Sequence, residues 1–309
     1  MSSVAFARDL NRSFGEIQAV KNLNLNLEQG EIYGLIGPDG AGKTTTFRLL
    51  TGALDPDSGE IEIGGLDVKT QAEKVRERIG YMPQLFGLYS DLTVKENLLF
   101  FGRLFGVEKK KLNARIRELL NFVRLKEFED RRAGNLSGGM YKKLAIACSI
   151  LHEPRLLILD EPTNGVDPVS RRDLWALLFS VAHEGVTVLV STPYMDEAER
   201  CHRTGLLFRG KLALEGEPRD LLLTLSKRLF LIRCEELSEV KRRLMGLDRS
   251  RGFAYASPEG MRLIVRNQSD FPSLERAIHT ELRGMKFDFE AIAPTFEDIF
   301  MEIQWAEEG

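Results

Sequence analysis

The chain has 309 residues, a hydrophobic fraction of 43% and a formal net charge of −3. That length predicts about two domains, and that composition fits a packed globular protein and excludes a disordered one. The acidic balance gives no global electrostatic case for nucleic acid, and no run of about 18 apolar residues offers a membrane-spanning helix.

The opening residues, Met1-Ser2-Ser3-Val4-Ala5-Phe6-Ala7-Arg8, lack the long apolar core of a secretory leader, so a cytoplasmic location is expected. Residues 4–36 alternate short β-like runs with turns, and the apolar run Ile32-Tyr33-Gly34-Leu35-Ile36 reads as a buried strand. Directly after it, Gly37-Pro38-Asp39-Gly40-Ala41-Gly42-Lys43-Thr44 fits G-x-x-x-x-G-K-[ST] at every fixed position. The following Lys43–Leu50 segment, with Thr45 in its first turn, reads as a helix. This strand, loop and helix context is what a phosphate-binding loop needs. Glycines let backbone N–H groups curl around phosphate oxygens, and the helix N-terminus adds its positive dipole end. Lys43 would reach the β- and γ-phosphates, and Thr44 would offer its hydroxyl to Mg²⁺.

Asp55-Pro56-Asp57-Ser58-Gly59 is a turn cluster leading into a strand at Glu60–Gly64. Gln84 follows another expected strand in Tyr81-Met82-Pro83-Gln84. From Val94 to Phe128 apolar residues recur at helical spacing, through Leu98, Phe101, Leu104 and Phe105, then Ile116, Leu119, Leu120 and Val123. A helix is expected from Ser137 or Gly138 to Leu151, stopping before Glu153-Pro154. Leu156-Leu157-Ile158-Leu159-Asp160 is a continuous apolar run ending in acid, the pattern of a central parallel strand. A helix over 170–184 and a strand over 186–191 complete an alternation of strands and helices, which predicts an α/β domain around a parallel sheet.

After about Leu225 the composition shifts. The tail reads strand (229–234), helix (238–245), strand (253–257), strand (261–265), helix (271–283) and strand (286–292), the split βαβ, ferredoxin-like order. A last helix is expected after Pro294, with Thr295 as its N-cap and Glu297 and Asp298 in its first turn. The expected domains are 1–224 and 225–309, with no Gly/Ser- or Pro-rich linker between them. The cysteines, Cys148, Cys201 and Cys234, are odd in number and unpaired in spacing, and the four histidines form no ligand pattern.

The phosphate loop, Gln84, Leu136-Ser137-Gly138-Gly139, Asp160-Glu161 and Asp167 stand in a telling order. Together they resemble the nucleotide-binding subunits of ABC transporters over about the first 220 residues, and Pro294-Thr295-Phe296-Glu297-Asp298-Ile299-Phe300 is similar to the ending of drug- and antibiotic-exporter ATPases of this class. The resemblance implies a P-loop ATPase domain with a helical subdomain, ATP and Mg²⁺ as ligands, and a second ATPase domain and membrane permease subunits as partners. It places the chain peripherally on the cytoplasmic face of the inner membrane. It implies Asp160 on Mg²⁺, Glu161 as general base, Gln84 sensing Mg²⁺ and the γ-phosphate, and Phe14 stacking on adenine. Ser137, Gly138 and Gly139 would close on the partner's ATP, with Asp167 nearby at the nucleotide sandwich. In that family the apolar Leu85–Thr93 loop, with Phe86, Leu88 and Tyr89, lines the groove that receives a permease helix.

Two positions depart from the family pattern. Met140 stands where glutamine is usual, and Pro193 stands where the switch histidine donates toward the γ-phosphate. Proline has neither a side-chain donor nor a backbone N–H, so slow turnover is expected. The rival readings are an essentially non-hydrolysing half of an asymmetric ATPase pair and a soluble ABC ATPase acting on DNA or ribosomes. Copy or non-identical partner stays open, as does the cargo.

Overall fold

The computed structural model describes residues 3–85, 87–226, 228–244 and 250–308. The chain divides into two units, Met1–Gly216 and Glu217–Gly309. The sequence had placed this division one short helix later.

The first unit opens with two long strands, β1 (Ser3–Phe14) and β2 (Ile17–Glu28), where short runs were expected. Their pairing shifts register at several places, with left-handed backbone at Asp9 and Asn22. Such bulges break the period-2 pattern and hide strand length from a sequence reading. Then come β3 (Ile32–Ile36), α1 (Lys43–Leu50), β4 (Ser58–Ile63), β5 (Leu66–Asp67), α2 (Ala72–Arg76) and β6 (Ile79–Met82). The helical stretch after them is two helices, α3 (Val94–Leu104) and α4 (Lys109–Phe122), parted at Gly106, which has φ +71. Thr93 and Glu96 form a reciprocal capping box at the start of α3. The unit closes with α5 (Gly138–Ile150), β7 (Leu156–Asp160), α6 (Pro168–His183), β8 (Thr187–Thr192), β9 (Arg203–Phe208) and β10 (Lys211–Gly216).

These strands form a four-stranded antiparallel sheet, β2-β1-β4-β5, and a six-stranded sheet, β10-β9-β3-β8-β7-β6, parallel except at β10. The six-stranded sheet is covered on both faces. Ile158 and Leu189 join Leu23, Phe47 and Leu50 on one side. Leu157, Leu159, Val188 and Val190 join Leu144, Leu174 and Trp175 on the other. Burial on both faces is why β3, β7 and β8 read as unbroken apolar runs. At their carboxyl ends lie Gly37, Asp160 and Thr192, where open α/β sheets bind ligands.

The second unit holds α7 (Pro218–Leu223), β11 (Leu229–Cys234), α8 (Leu237–Leu244), β12 (Gly252–Ser257), β13 (Gly260–Val265), α9 (Phe271–Glu281), β14 (Phe287–Ala291) and α10 (Phe296–Glu308). Its antiparallel sheet runs β12-β13-β11-β14, the ferredoxin-like arrangement the tail predicted. Val240, Leu274 and Ile278 from α8 and α9 pack with Ile232, Met261 and Leu263 of the strands.

Thr295 does precede the last helix, but the expected cap is reversed. Its N–H and hydroxyl both donate to Asp298 Oδ2, at 2.7 and 2.6 Å. Asp298 is fully buried, and it also accepts from Arg262 Nη1 and from the Tyr255 hydroxyl. Burial alone would raise its pKa, yet the donors of Thr295, Tyr255 and Arg262 together hold it below the usual carboxylate range. Asp298→Asn takes the nearer counter-charge from the half-buried Arg262 guanidinium, which keeps Glu259 at 3.7 Å, a loss of about 1.5–3 kcal/mol. The expected result is a lower melting temperature and faster hydrogen exchange across α10. Because the native pKa is depressed, this stabilisation is complete above the unfolded carboxylate pKa and fades as pH falls through the native one.

Candidate functional site

Strand β3 delivers the chain into the glycine loop with no slack. A side chain at Gly37 would meet Leu207 O at 2.3 Å, and one at Gly42 would meet Ala19 O at 2.3 Å. Gly40 has open space around it but holds φ +78, a left-handed backbone that favours glycine. Gly42 caps α1 without any side-chain hydrogen bond. The orphan amides of the first turn are therefore left for an incoming acceptor. In front of them is a cleft of about 310 Å³, lined by Ala19, Asp39, Gly40, Gly42, Lys43, Thr44, Thr45, Gln84 and Glu161. Pro38 and Ala41 complete the loop, with Ala41 N–H donating to Pro38 O.

Lys43 is buried, and its Nζ donates to Gly37 O at 2.8 Å and Pro38 O at 3.1 Å. The same ammonium lies 3.3 Å from Glu161 Oε1. Glu161 Oε2 accepts from Gln84 Nε2 at 2.8 Å and from Asn164 Nδ2 at 3.0 Å. The carboxylate is thus aimed from three sides at the mouth of the cleft. Its backbone is left-handed, φ +50, which is strained for a side-chain-bearing residue. Its N–H donates to Ser191 Oγ on β8.

Asp160 ends β7 and is fully buried. Oδ1 accepts from Ser191 Oγ at 2.7 Å, while Oδ2 has no hydrogen-bond partner. An orphaned buried carboxylate oxygen at a phosphate loop fits a divalent cation. Among the described residues no group of three His, Cys, Asp or Glu could hold a metal, so such an ion would be shared with phosphate oxygens and the Thr44 hydroxyl. Burial pushes the Lys142 ammonium pKa down, and the Glu161 and Asp160 carboxylates oppose that push. Burial, with Asp160 nearby, pushes Tyr81 up to about 12.

The other sequence candidates lie outside this cleft lining. Ser137 caps α5 and accepts from Met140 N–H at 3.3 Å, leaving Ser137 and Gly138 exposed. Gly139 is buried against Ser170, whose Oγ a side chain there would meet at 2.5 Å. Exposed Asp167 caps α6, its Oδ1 accepting from Val169 and Ser170 N–H. These residues make a second, outward-facing cluster. Phe14 is 46% exposed near the tip of the β1–β2 hairpin, with the Arg12 guanidinium 4.9 Å from its ring centroid, and Ala19 of the same hairpin lines the cleft.

In the loop after Gln84, Leu85 is 91% and Tyr89 48% exposed, whereas Leu88 is buried in the core beneath. Leu88, expected with Phe86 and Tyr89 on the permease-facing surface, is therefore part of the core instead. Buried Asn97 ties this loop down, accepting from Tyr89 N–H and donating to Tyr89, Leu92 and Thr93 carbonyls. Phe86 lies outside the described residues. Sequence reasoning missed Asn164, Ser191 and Tyr194. Asn164 carried one faint signal, its place three residues beyond Glu161.

The ABC transporter family model matches residues 20–164. Over 219 residues the chain is 44% identical to a probable multidrug ABC transporter ATP-binding protein of Escherichia coli, covering 71% of this chain and 38% of that protein. Over 216 residues it is 42% identical to a Nod factor export ATP-binding protein of Burkholderia lata, covering 70% of this chain and 71% of that one. Among solved structures it is similar to a dimeric ATP-binding cassette bound to ADP and Pi, with a TM-score of 0.61 and 28% identity over 69% of this chain and 98% of that one.

Proposed function

This chain belongs to the ATP-binding subunits of ABC transporters, and from that premise we propose that it binds and slowly hydrolyses ATP to drive export through membrane permease subunits. The observation that carries this reading is the Glu161 carboxylate, held at the cleft mouth by Lys43, Gln84 and Asn164 opposite the free amides of α1.

The residues divide the work as follows. The Gly37–Thr45 segment cradles the phosphates, and Phe14 stacks on the base. Phosphate oxygens compete for Lys43 Nζ and draw it off Glu161 Oε1. Oε2 stays anchored by Gln84 and Asn164, so Oε1 is freed to take a proton from water on the γ-phosphate side. Mg²⁺, held by Asp160, Thr44 and Gln84, would neutralise charge on the transferring phosphoryl group. Exposed Ser137 and Gly138, with buried Gly139, form the N-terminus of α5, an anion-binding end. With Asp167 beside them, they face the ATP of a second ATPase domain, identical or not. Export rests on the relatives, a probable multidrug ABC transporter ATP-binding protein and a Nod factor export ATP-binding protein, and with it a peripheral place on the cytoplasmic face of the inner membrane. No helix among the described residues is long and apolar enough to cross a membrane.

A second reading, a nucleotide-gated and essentially non-hydrolysing half of an unequal pair, draws on Pro193. ATP turnover by the chain alone, then with a second ATPase chain added, separates the two. Rates typical of transporters from the chain alone would overturn the slow-site reading.

The permease is assigned to the surface around Leu85 and Tyr89. Tyr89 packs edge-on against Phe100 at 4.5 Å, and both rings are exposed; exposed apolar patches of this kind mark interfaces. In proteoliposomes, Tyr89→Glu should leave ATP affinity within about twofold while lowering ATP-driven export about tenfold or more, as loss of an aromatic anchor does. Unchanged export would remove the assignment.

A further inference from the structure

We propose that Tyr194 is a positioning residue for hydrolysis, holding Asn164, and through it one oxygen of Glu161, in line with the start of α6. The proposal rests on reading Glu161 as the general base. It concerns Asn164, one of the two donors to Oε2.

Asn164 sits on an exposed turn after β7, where its amide could point either edge at Glu161. Only one orientation is useful, with Nδ2 toward the carboxylate. The acceptor-only carboxylate selects it, and the Tyr194 hydroxyl, donating to Asn164 Oδ1 at 3.4 Å, braces the other edge of the amide. A flipped amide would set acceptor against acceptor at Glu161, whereas the hydroxyl, which can donate or accept, holds the far end of the side chain. Tyr194 is itself held at both ends. Its N–H donates to Thr192 Oγ1 at 3.1 Å, and the Arg171 guanidinium lies 4.6 Å over its ring. Arg171 also reaches Asp196 Oδ2 at 3.4 Å. It stands in the first turn of α6, just after Ser170, which packs on Gly139.

A continuous run of contacts therefore joins the outward-facing cluster at Gly139 and Asp167 to the carboxylate in the cleft. The residue after Pro193 contributes the bracing hydroxyl, although it leaves the missing donor to the γ-phosphate unreplaced. When phosphates draw Lys43 away, Gln84 and Asn164 are what remain to hold Oε2. An Asn164 free to swing away then costs aim and not binding.

Single-turnover cleavage of ATP with Mg²⁺ by the full chain tests this, alongside nucleotide affinity. Tyr194→Phe keeps the ring and its contact with Arg171, and Asn164→Ala lies on an exposed turn, so both should fold. Each should slow cleavage about 3- to 10-fold with ATP affinity unchanged, the scale of one lost hydrogen bond. The double variant should be no slower than the slower single one. Normal cleavage by Tyr194→Phe, or losses that multiply in the double variant, would overturn the proposal. Glu161→Gln separates the levels. If it cleaves ATP normally, the base assignment fails and takes this proposal with it. If it is silent while Tyr194→Phe is normal, the positioning role alone fails.

Discussion

Glu161→Gln should lower ATP turnover by about 10²- to 10⁴-fold and leave ATP binding intact. The amide is isosteric, so its oxygen can still accept from Gln84 and Asn164, the two donors that now hold Oε2. What disappears is the charge facing Lys43 and the basicity facing the cleft. Lys43 keeps Gly37 O and Pro38 O as acceptors, so removing the carboxylate does not strand an unpaired buried ammonium. The glycine loop and the amides of α1 are untouched, which is why affinity should persist. With cleavage blocked, the nucleotide sandwich should outlast purification. Light scattering with ATP and Mg²⁺ would then show an ATP-dependent dimer, formed with the partner chain if the natural pair is unequal. Turnover within a few-fold of the unaltered chain would show that Glu161 is not the base. A silent variant that never dimerised with either partner would remove the assignment of Ser137, Gly138 and Gly139 to a facing site.

What could be read from the amino-acid order was whatever local sequence decides. The strands β3, β7 and β8 are buried on both faces and announce themselves as apolar runs. The phosphate loop is set by glycines that close contacts and a positive φ demand, and those demands lie within eight residues of chain. The tail was legible because each helix and strand has its own period and turn. Leu88 was misread because a buried leucine and an exposed one look alike inside an irregular loop. The bulged β1–β2 pair lost its length for the reason its bulges exist. Asn164, Ser191 and Tyr194 were invisible because their roles depend on strand order. Only the placement of β8 beside β7 brings Ser191 opposite Asp160, and residue 194 back to residue 164. A contact across 30 residues leaves no local period to detect.

Pro193→His should raise turnover at this site by about 10- to 100-fold, somewhat less than the 10²–10³ that one transition-state donor supplies in a fully arranged site. The position is right for such a donor. Thr192 ends β8 beside Ile36 of β3, and its carbonyl accepts from Gly37 N–H at 3.4 Å. Residue 193 therefore leaves the sheet next to the first glycine of the phosphate loop. The replacement asks little of the fold, because proline has no N–H and no backbone hydrogen bond is lost. The turn beyond is held independently by Tyr194 N–H on Thr192 Oγ1. Loosening the unfolded chain costs only about 0.4–1 kcal/mol, which a thermal melt would register as a small shift. The gain should appear in cleavage and not in ATP affinity, since the donor is needed most where charge builds on the γ-phosphate. It should also vanish when Glu161→Gln is added, because a donor to the phosphate cannot replace the base. If the histidine variant turns over no faster, Pro193 is not what limits this site. A gain that survives Glu161→Gln would place the faster chemistry in the partner's site instead.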